Sequence, residues 1–561
     1  MTQHPLARVQ TQQTLTRAAT WLAILLPVFA WAPLTFPGYV IVHSGFVPIF
    51  NLNDLMGHLT DFWWAPTVGQ PYDLWRAERA LPYLLAVLPH LFGASLVTAV
   101  KIVFGLALVA GAIGVYAWAR RHVGGWPALV ASFLYVLLPV NLATIYVRGA
   151  FAEAVFLGLA PWLLYAAQRA VTSGKARWAI LLAVLLAATL WTQAGLALWW
   201  SLICLLYILM ARLWASPPAL DLRQRGPSRQ TVALLGWAGG WALGLLGLVP
   251  VIMRHGWVGE TPVVFAEHFA YPHQFLAPAW GSGPSISGPY DTLTLQVGIV
   301  GFGLALCALV APGLRSGEPR AHEARVDGPA GSLRPLMVLA ALIVFGLVFL
   351  SSSLAAPLWG IFSAPSRTLT YPWQLLLLAG PWLALLAGMG ALALAQLLGP
   401  TGVFDVPLHA SLLALVLVGS YGFLIPQTTR VVPPGRPLAI FGDDEVALLR
   451  ADVQGTHGPG NALTLSTEWQ ALRPLTEDYT VFFHALSSDG AMRGQHDSMP
   501  QAGAAPTSGW LPGVIVTDTM RLVLNSEAPA GPGYSYPIGL YLWQTGERLR
   551  NGDADRFVLQ P

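Results

Sequence analysis

The feature that most constrains this chain is a succession of apolar segments, each near the length that crosses a lipid bilayer. A transmembrane helix needs about 20 predominantly apolar residues, because each residue rises about 1.5 Å through a hydrocarbon core about 30 Å thick. Such segments recur from residue 19 to residue 425, at about 19–37, 97–118, 126–145, 153–168, 178–194, 196–211, 232–253, 293–312, 335–354, 374–398 and 408–425. The sequence therefore predicts a polytopic α-helical membrane protein, with about eleven transmembrane helices over residues 19–426.

Charged residues are concentrated in the last quarter of the chain. Asp, Glu, Lys and Arg make up only 10% of the sequence, whereas soluble domains average about 25%. Residues 430–561 nevertheless hold 14 of the 27 acidic and 9 of the 30 basic residues. This contrast predicts a separate, water-exposed domain over residues 427–561. The near balance of the two signs argues against a nucleic-acid-binding surface.

Lys and Arg in the loops between the predicted spans set an orientation. If residues 1–18 are cytoplasmic, fifteen Lys and Arg residues fall in inside loops and five arginines fall in outside loops. Cytoplasmic loops carry the excess of basic residues in most membrane proteins. An odd number of spans then places residues 427–561 outside the cytoplasm. The segment 81–92 has only twelve residues and two prolines, so we predict an interfacial or re-entrant helix there.

The last part of the sequence has the pattern of a β-domain. Short segments rich in β-branched and aromatic residues are separated by turn signals such as SSDG, APAGPG and TGER. The segments are ALTLSTEWQAL, YTVFFHAL, VIVTDTMRLVL and IGLYLWQ. Regular short strands of this kind predict an all-β sandwich.

Several catalytic signatures are missing from the sequence. It contains no GxxxxGK[ST], GxSxG or HExxH motif and no set of protein-kinase motifs. The sequence therefore gives no support for phosphate-loop hydrolysis, serine hydrolysis or zinc-dependent proteolysis of the HExxH type.

Ionisable residues cluster on the predicted outer face. Eight of the thirteen acidic residues before the tail fall there, namely Asp54, Asp61, Asp73, Glu78, Glu153, Glu260, Glu267 and Asp291. In FNLNDLMGHLTDFWW, Asp54, His58 and Asp61 have i, i+4, i+7 spacing and would share one face of a helix. Such a face can hold a divalent cation such as Mg²⁺ or Mn²⁺, or can offer a carboxylate as a general base. The alternative is the solvated face of an amphipathic loop helix.

Further candidates for substrate binding lie in later outer loops. In YVRGAFAEAVFLGLAPWLLY, Arg148 can pair with a phosphate by a bidentate, charge-assisted bond, or can close the turn by an internal pair with Glu153. Glu267 and His268 lie in the long outer loop 254–292 and are candidates for substrate binding. The alternative is that this loop is only a solvated connection. Arg367 can meet a lipid phosphate or snorkel to the headgroups.

These residues stand in segments that resemble a known family. The run through NDLMGHLTD, RALPYLLAVLPHLFG and WARRHVGGWPALVASFLYVLLP is similar to the amino-terminal half of the multi-spanning GT-C glycosyltransferases. Within that group, YVRGAFAEAVFLGLAPWLLY and TYPWQLLLLAGPWLALLAG look most like bacterial membrane proteins described as related to 6-pyruvoyl-tetrahydropterin synthase. That name does not establish that activity.

The tail carries a second resemblance. DYTVFFHALSSDG, PTSGWLPGVIVTD and IGLYLWQTGERL are similar to β-sandwich modules that follow such membrane domains in some bacteria. The resemblance implies a module of the carbohydrate-binding type, although a sandwich fold alone does not establish sugar binding.

The first resemblance implies a function. It indicates an inverting glycosyltransferase in the bacterial cytoplasmic membrane, which takes a sugar from a polyprenyl-phosphate donor at the outer face. The acceptor would be a glycan, a lipid or a protein. Two other functions stay open, a polysaccharide or lipid flippase and a non-catalytic envelope protein that binds glycan.

The resemblance also implies roles for individual residues. Family members carry an acidic residue early in the first outer loop, followed by histidine in a D-x-x-x-H pattern, and Asp54 falls at that position. It would act as general base with His58 and Asp61, while Arg148 pairs with the donor phosphate. One departure is Gln374, which stands where the resemblance leads us to expect arginine.

Overall fold

The chain forms two compact units in a computed structural model. The first unit comprises Met1–Phe36 and Val42–Gln427, and the second comprises Pro37–Ile41 and Thr428–Pro561. The structure describes residues 17–36, 39, 45, 47–61, 64–66, 75–211, 228–255, 264–277, 281, 285–291, 293–311, 333–361, 366–398, 405–424, 437–473, 475–510 and 512–560.

The first unit is helical. Its helices follow the apolar runs of the sequence, because a helix satisfies its own backbone hydrogen bonds wherever water is absent. They are α1 (Arg17–Thr35), α2 (Val47–Gly57), α3 (Ala80–Leu91), α4 (Leu96–Val123), α5 (Gly125–Val136), α6 (Pro139–Tyr146), α7 (Phe151–Ser173), α8 (Ala176–Leu190), α9 (Ala194–Met210), α10 (Arg229–His255), α11 (Ile299–Val310), α12 (Arg334–Ser351), α13 (Ala356–Ile361), α14 (Leu375–Leu397) and α15 (Asp405–Ser420).

Seven helices in the described part of the chain are long and apolar enough to cross a membrane, or eight if the bent pair α5 and α6 counts as one span. These two helices meet at 41°, and Pro139 begins the second of them. Proline has no backbone N–H and is therefore favoured at the start of a helix. Each of the eleven predicted segments overlaps a helix, but α8, α9 and α11 have fewer than 18 residues. The predicted number of eleven spans is therefore not confirmed.

The short segment at residues 81–92 forms the twelve-residue helix α3. Tyr83 and Ala86 are buried, whereas Leu84, Leu85 and Leu88 are exposed. A helix with apolar side chains on its outward face is well suited to the acyl boundary of a bilayer. Its interfacial placement stays a prediction.

Helix α14 is the core of the helical unit. It lies in the span Pro372–Leu397, in which every residue from Pro372 to Ala393 is buried within the protein, whereas Leu397 at its end is exposed. Helices α5, α11 and α12 pack around it. Gly390 lies so close to α11 that a Cβ atom there would be 1.9 Å from the carbonyl oxygen of Leu304. Small residues allow helix backbones to approach closely in membranes.

This contact gives a first testable prediction. Gly390→Ala should destabilise the protein by about 1–3 kcal/mol, because overpacking forces backbone shifts. The matched control is Gly303→Ala on α11, where an added Cβ meets nothing within 4 Å. Equilibrium unfolding in detergent micelles measures both variants. Equal stability of the two variants would contradict the close approach of α11 and α14.

The second unit is all-β. It contains two four-stranded antiparallel sheets, with strand orders β1-β2-β3-β6 and β5-β4-β7-β8. The strands are β1 (Ala439–Phe441), β2 (Val446–Gly455), β3 (Ala462–Ala471), β4 (Tyr479–Leu486), β5 (Met492–Ser498), β6 (Ile515–Val523), β7 (Tyr536–Leu542) and β8 (Phe557–Leu559).

The two sheets share one hydrophobic core. Leu465 and Trp469 from the first sheet and Phe483 and Ile538 from the second are fully buried in the same cluster. Strand β6 alternates exposed and buried side chains along its last six residues, as expected when one face of a sheet covers a core. The predicted fold class, a helical region followed by an all-β sandwich, is confirmed.

Candidate functional site

Asp54 lies on the last turn of α2, which ends at Gly57. Its Oδ2 atom accepts a hydrogen bond of 2.7 Å from Trp64 Nε1. The Asp54 side chain is 36% exposed. Helix α2, in the predicted first outer loop, therefore presents a carboxylate that is accessible and also held in one orientation.

The two predicted partners of Asp54 differ in their placement. His58 Nδ1 is 3.5 Å from Asp54 Oδ1 and 2.8 Å from the Asp54 carbonyl oxygen. Asp61 lies beyond the end of the helix, in a turn where its N–H donates to the His58 carbonyl oxygen. Glycine is a poor helix former, and α2 stops at Gly57. The prediction that Asp61 shares a helix face with Asp54 and His58 is therefore wrong.

A metal site is not assembled from these side chains. Among the residues that the structure describes, no three His, Cys, Asp or Glu side chains are placed to hold a metal ion. Asp54, His58 and Asp61 all belong to the described part. The cation-binding alternative for this cluster therefore gains no support from the structure. Two other acidic residues of the predicted outer face, Asp73 and Glu260, lie outside the described residues.

Arg148 and Glu153 form a buried ion pair. Arg148 Nη2 donates to Glu153 Oε1 at 2.9 Å, and Arg148 Nη1 donates to Glu153 Oε2. The planar guanidinium matches both carboxylate oxygens, as in other bidentate pairs. The internal pair that the sequence left open is thus present. It closes the turn between α6 and α7, where Gly149 has a φ of +58° and lies against Gly45.

Gln374 joins this pair from the start of α14. Its Nε2 atom donates to Glu153 Oε1 at 2.6 Å. Its Oε1 atom accepts from the backbone N–H groups of Thr370 and Tyr371, at 2.9 and 3.0 Å. Where the resemblance led us to expect arginine, glutamine therefore links Glu153 to the backbone before the central helix.

Aromatic rings extend the cluster toward the predicted residue His268. The Arg148 guanidinium lies 4.6 Å from the centre of the Trp373 ring, which stacks on Tyr371 at 4.7 Å. The His268 ring meets Tyr371 edge-on, with centroids 5.1 Å apart. A cation over an aromatic face is attracted by the ring quadrupole, more strongly in a desolvated site. His268 is thus part of the same connected group as Arg148.

A hydroxyl network fixes His268. Ser285 Oγ donates to Asp291 Oδ2 at 2.7 Å and accepts from Trp373 Nε1 at 3.2 Å. His268 Nδ1 lies 3.1 Å from the same hydroxyl oxygen. Because the single proton of Ser285 goes to Asp291, His268 must donate from Nδ1. Burial raises the pKa of Asp291, although hydrogen bonds favour its ionised form.

The two remaining predicted substrate-binding residues lie apart from these contacts. Glu267 is exposed, and its Oε2 atom accepts from Ser287 at 2.9 Å. Arg367 is exposed, and its backbone carbonyl oxygen accepts from Arg76 Nε at 3.2 Å. Within the described residues, no hydrogen bond or ion pair joins either side chain to the Arg148–Glu153 pair.

Sequence reasoning missed Glu78 as a site residue. Its side chain is buried and accepts a hydrogen bond from the Tyr83 hydroxyl, while the Ala152 N–H lies 3.5 Å from Oε1. Burial raises the pKa of Glu78 to about 7, although these hydrogen bonds and the charge of Arg148 favour its ionised form. The only sequence signal was its position among the acidic residues of the outer face.

These contacts form a polar site near helix ends, in a unit built of helices long and apolar enough to cross a membrane. The site contains an accessible carboxylate, Asp54, a buried carboxylate, Glu78, and the Arg148–Glu153 pair. Ionisable groups are costly in such a body and usually mark a functional site. A carboxylate can take a proton and a guanidinium can stabilise an anion.

The chain belongs to a recognised membrane-protein family. Residues 80–420, more than half of the chain, match the family model described as the 6-pyruvoyl-tetrahydropterin synthase related domain, a membrane protein. The protein is therefore a multi-spanning membrane protein of this family. The predicted relationship is confirmed. No match was found among curated proteins.

Solved structures show more distant similarity. The arabinofuranosyltransferase AftD from Mycobacteria has 16% identity and a TM-score of 0.41, over 74% of this chain and 27% of AftD. ArnT from Cupriavidus metallidurans, solved with undecaprenyl phosphate, has 12% identity and a TM-score of 0.41, over 75% and 76% of the two chains. The Archaeoglobus fulgidus oligosaccharyltransferase has 13% identity and a TM-score of 0.35, over 75% and 54%. The chain thus spans about a quarter of AftD and about half of the oligosaccharyltransferase.

Proposed function

We propose that the protein is a glycosyltransferase that moves a sugar from a polyprenyl-phosphate donor to an acceptor hydroxyl at the outer face of the membrane. The observation that supports this most directly is the Asp54 carboxylate, accessible at the end of the first-loop helix and oriented by Trp64. A sugar transfer needs a group that removes the acceptor proton. Nucleotide sugars are cytoplasmic, so an outer-face reaction needs a lipid-linked donor.

The reaction is a displacement with inversion at the anomeric carbon. The acceptor oxygen attacks that carbon while Asp54 takes the hydroxyl proton. The bond from the anomeric carbon to the phosphate oxygen breaks, and the electron pair leaves with the polyprenyl phosphate. The products are the glycosylated acceptor, a protonated Asp54 and the free lipid phosphate.

The other candidate residues contribute to binding in this proposal. Arg148, held by Glu153, faces the negative charge that develops on the leaving phosphate. His268 donates from Nδ1 to Ser285, which leaves Nε2 to accept a hydrogen bond from the sugar or the acceptor. Glu267 and Arg367, on the exposed loops, would contact the acceptor and the lipid headgroups. The acceptor is a glycan, a lipid or a protein.

Purified protein and a labelled sugar on a polyprenyl phosphate test the proposal. Transfer of the label to an acceptor extract, with release of polyprenyl phosphate, would support it. Donor binding without transfer would indicate a flippase, and a flipping assay in liposomes would then report movement of the donor. Binding of glycan without donor binding would indicate a non-catalytic envelope protein.

The proposal places the protein in the bacterial cytoplasmic membrane, with residues 427–561 outside the cytoplasm. We expect an alkaline phosphatase fusion after Pro561 to be active and a green fluorescent protein fusion at the same point to be dark. The matched control carries the reporters after Gly174, in a predicted inside loop with several basic residues. A fluorescent fusion after Pro561 would contradict this orientation and would indicate that the C-terminal domain is cytoplasmic.

A further inference from the structure

Glu78 is a buried carboxylate to which the proposed reaction assigns no step. It precedes α3, and its Oε2 atom accepts a hydrogen bond from the Tyr83 hydroxyl. On its other side, the N–H of Ala152 at the start of α7 lies 3.5 Å from Oε1. Glu78 therefore bridges the first-loop region and the helix that carries Glu153.

The Tyr83 hydroxyl lies at a junction between two elements. It donates its proton to Glu78 and accepts a hydrogen bond of 3.2 Å from Asn51 Nδ2. A hydroxyl has one proton and two lone pairs, so these two bonds are compatible only in this direction. All three side chains are buried. In such surroundings, a lost partner costs more than it does at a surface.

Two routes lead from Tyr83 to Asp54. Asn51 is three residues before Asp54 on α2, so fixing Asn51 fixes the helix that carries the carboxylate. The second route uses Trp64, whose ring meets the Tyr83 ring edge-on with centroids 5.7 Å apart. The indole nitrogen of the same Trp64 donates to Asp54 Oδ2.

We propose that Glu78 is a positioning residue, which acts through the Tyr83 hydroxyl on Asn51 and Trp64 to hold Asp54 in the orientation needed for proton transfer. This inference rests on the proposed function, because it assigns Glu78 a role in the same site. A small error in the position of a catalytic group is costly in rate. Because the Glu78 carboxylate accepts a hydrogen bond from the Tyr83 hydroxyl, the hydroxyl hydrogen points away from Asn51, whose N–H₂ needs a lone pair of the hydroxyl oxygen.

The charge of Glu78 controls this arrangement. Its surroundings include Arg148, whose charge lowers its pKa, and Glu153, whose charge raises it, together with the Tyr83 hydroxyl and the Ala152 N–H. With a pKa of about 7, Glu78 is largely ionised at pH 8 and largely protonated at pH 6. A protonated carboxyl competes as a donor and loosens the Tyr83 bond. Positioning should therefore improve as the pH rises through 7.

Kinetics of Glu78→Gln test the role in turnover. Glutamine fills the same space, so the variant should fold and bind donor with an unchanged KM, but like the protonated carboxyl it carries a donor and offers Tyr83 only a neutral, weaker acceptor. We expect kcat to fall about tenfold at pH 8, and the rise of kcat through pH 7 to disappear. Tyr83→Phe should give a similar loss. The matched controls, exposed Glu547→Gln and Tyr290→Phe, should match wild type. A wild-type pH profile in Glu78→Gln would overturn the role.

A second measurement does not depend on activity. The unfolding constants of Glu78→Gln, Trp64→Phe and the double variant form a cycle that reports whether the two residues act together. We expect the double variant to differ more than twofold from the product of the single effects. If the effects of the two substitutions are coupled but the protein has no transferase activity, the proposed function is refuted, while the contacts that link Glu78 to Trp64 through Tyr83 are supported. Additive effects would refute the chain itself.

Discussion

Asp54→Asn should reduce the rate of sugar transfer by about 10² to 10⁴-fold, the usual cost of removing a general base. Asparagine keeps the size of the side chain and still accepts the hydrogen bond from Trp64, so α2 should keep its place. It cannot take the proton of an acceptor hydroxyl. Donor binding should therefore persist while turnover is lost.

The measurement is transfer of labelled sugar under single-turnover conditions, with donor binding followed in parallel. Asp452→Asn is the matched control, because Asp452 is exposed on β2 and accepts a hydrogen bond from the nearby Gln454. Full turnover in Asp54→Asn would reject the catalytic assignment. Asp54 would then be a residue of a solvated helix end.

Arg148→Ala should destabilise the protein by about 3–5 kcal/mol, because removing one partner of a buried ion pair leaves the other charge uncompensated. Among the described residues, Gln374 would then be the side chain that still donates a hydrogen bond to Glu153. The Trp373 ring would also lose the cation above it. Equilibrium unfolding in mixed micelles measures the loss. Arg521→Ala, on the exposed face of β6, should be close to neutral.

A charge-free double variant separates stability from binding at this pair. Arg148→Met with Glu153→Gln removes both charges and leaves Gln374 an acceptor, so most of the stability should return. If Arg148 contacts the donor phosphate, the double variant should be folded and bind donor at least tenfold more weakly. Wild-type donor affinity in a folded double variant would make the pair purely structural.

Helices were easier to predict from the sequence than strands. Hydropathy is a local property, so each of the eleven predicted apolar segments overlaps a helix, whereas the short helix α13 and the bend before Pro139 were not predicted. Four strands were predicted and four were not. Strand β5, with the sequence MRGQHDS, has no apolar alternation, because it is an edge strand of its sheet and contributes little to the core.

The site was harder to predict because its contacts are long-range. Gln374 and Glu153 are 221 residues apart in sequence, and no local pattern announces such a bond. Asp54 and the Arg148–Glu153 pair were found because charge in an apolar chain is conspicuous. Asp61 was misplaced because spacing was extended through Gly57. Glu78 stood out only when Tyr83 and Ala152 were seen around it.

Helix α14 carries a consequence for how the protein is made. An 18-residue stretch of the span Pro372–Leu397 has a mean hydropathy of 2.0, yet all of its residues are buried within the protein. In the finished fold this segment touches little lipid. The hydrophobicity of the segment is needed during synthesis, when the nascent segment must leave the translocon and enter the bilayer before the neighbouring helices pack around it. Polar substitutions along α14 should therefore reduce the yield of inserted protein during biogenesis, ahead of any change in the mature molecule.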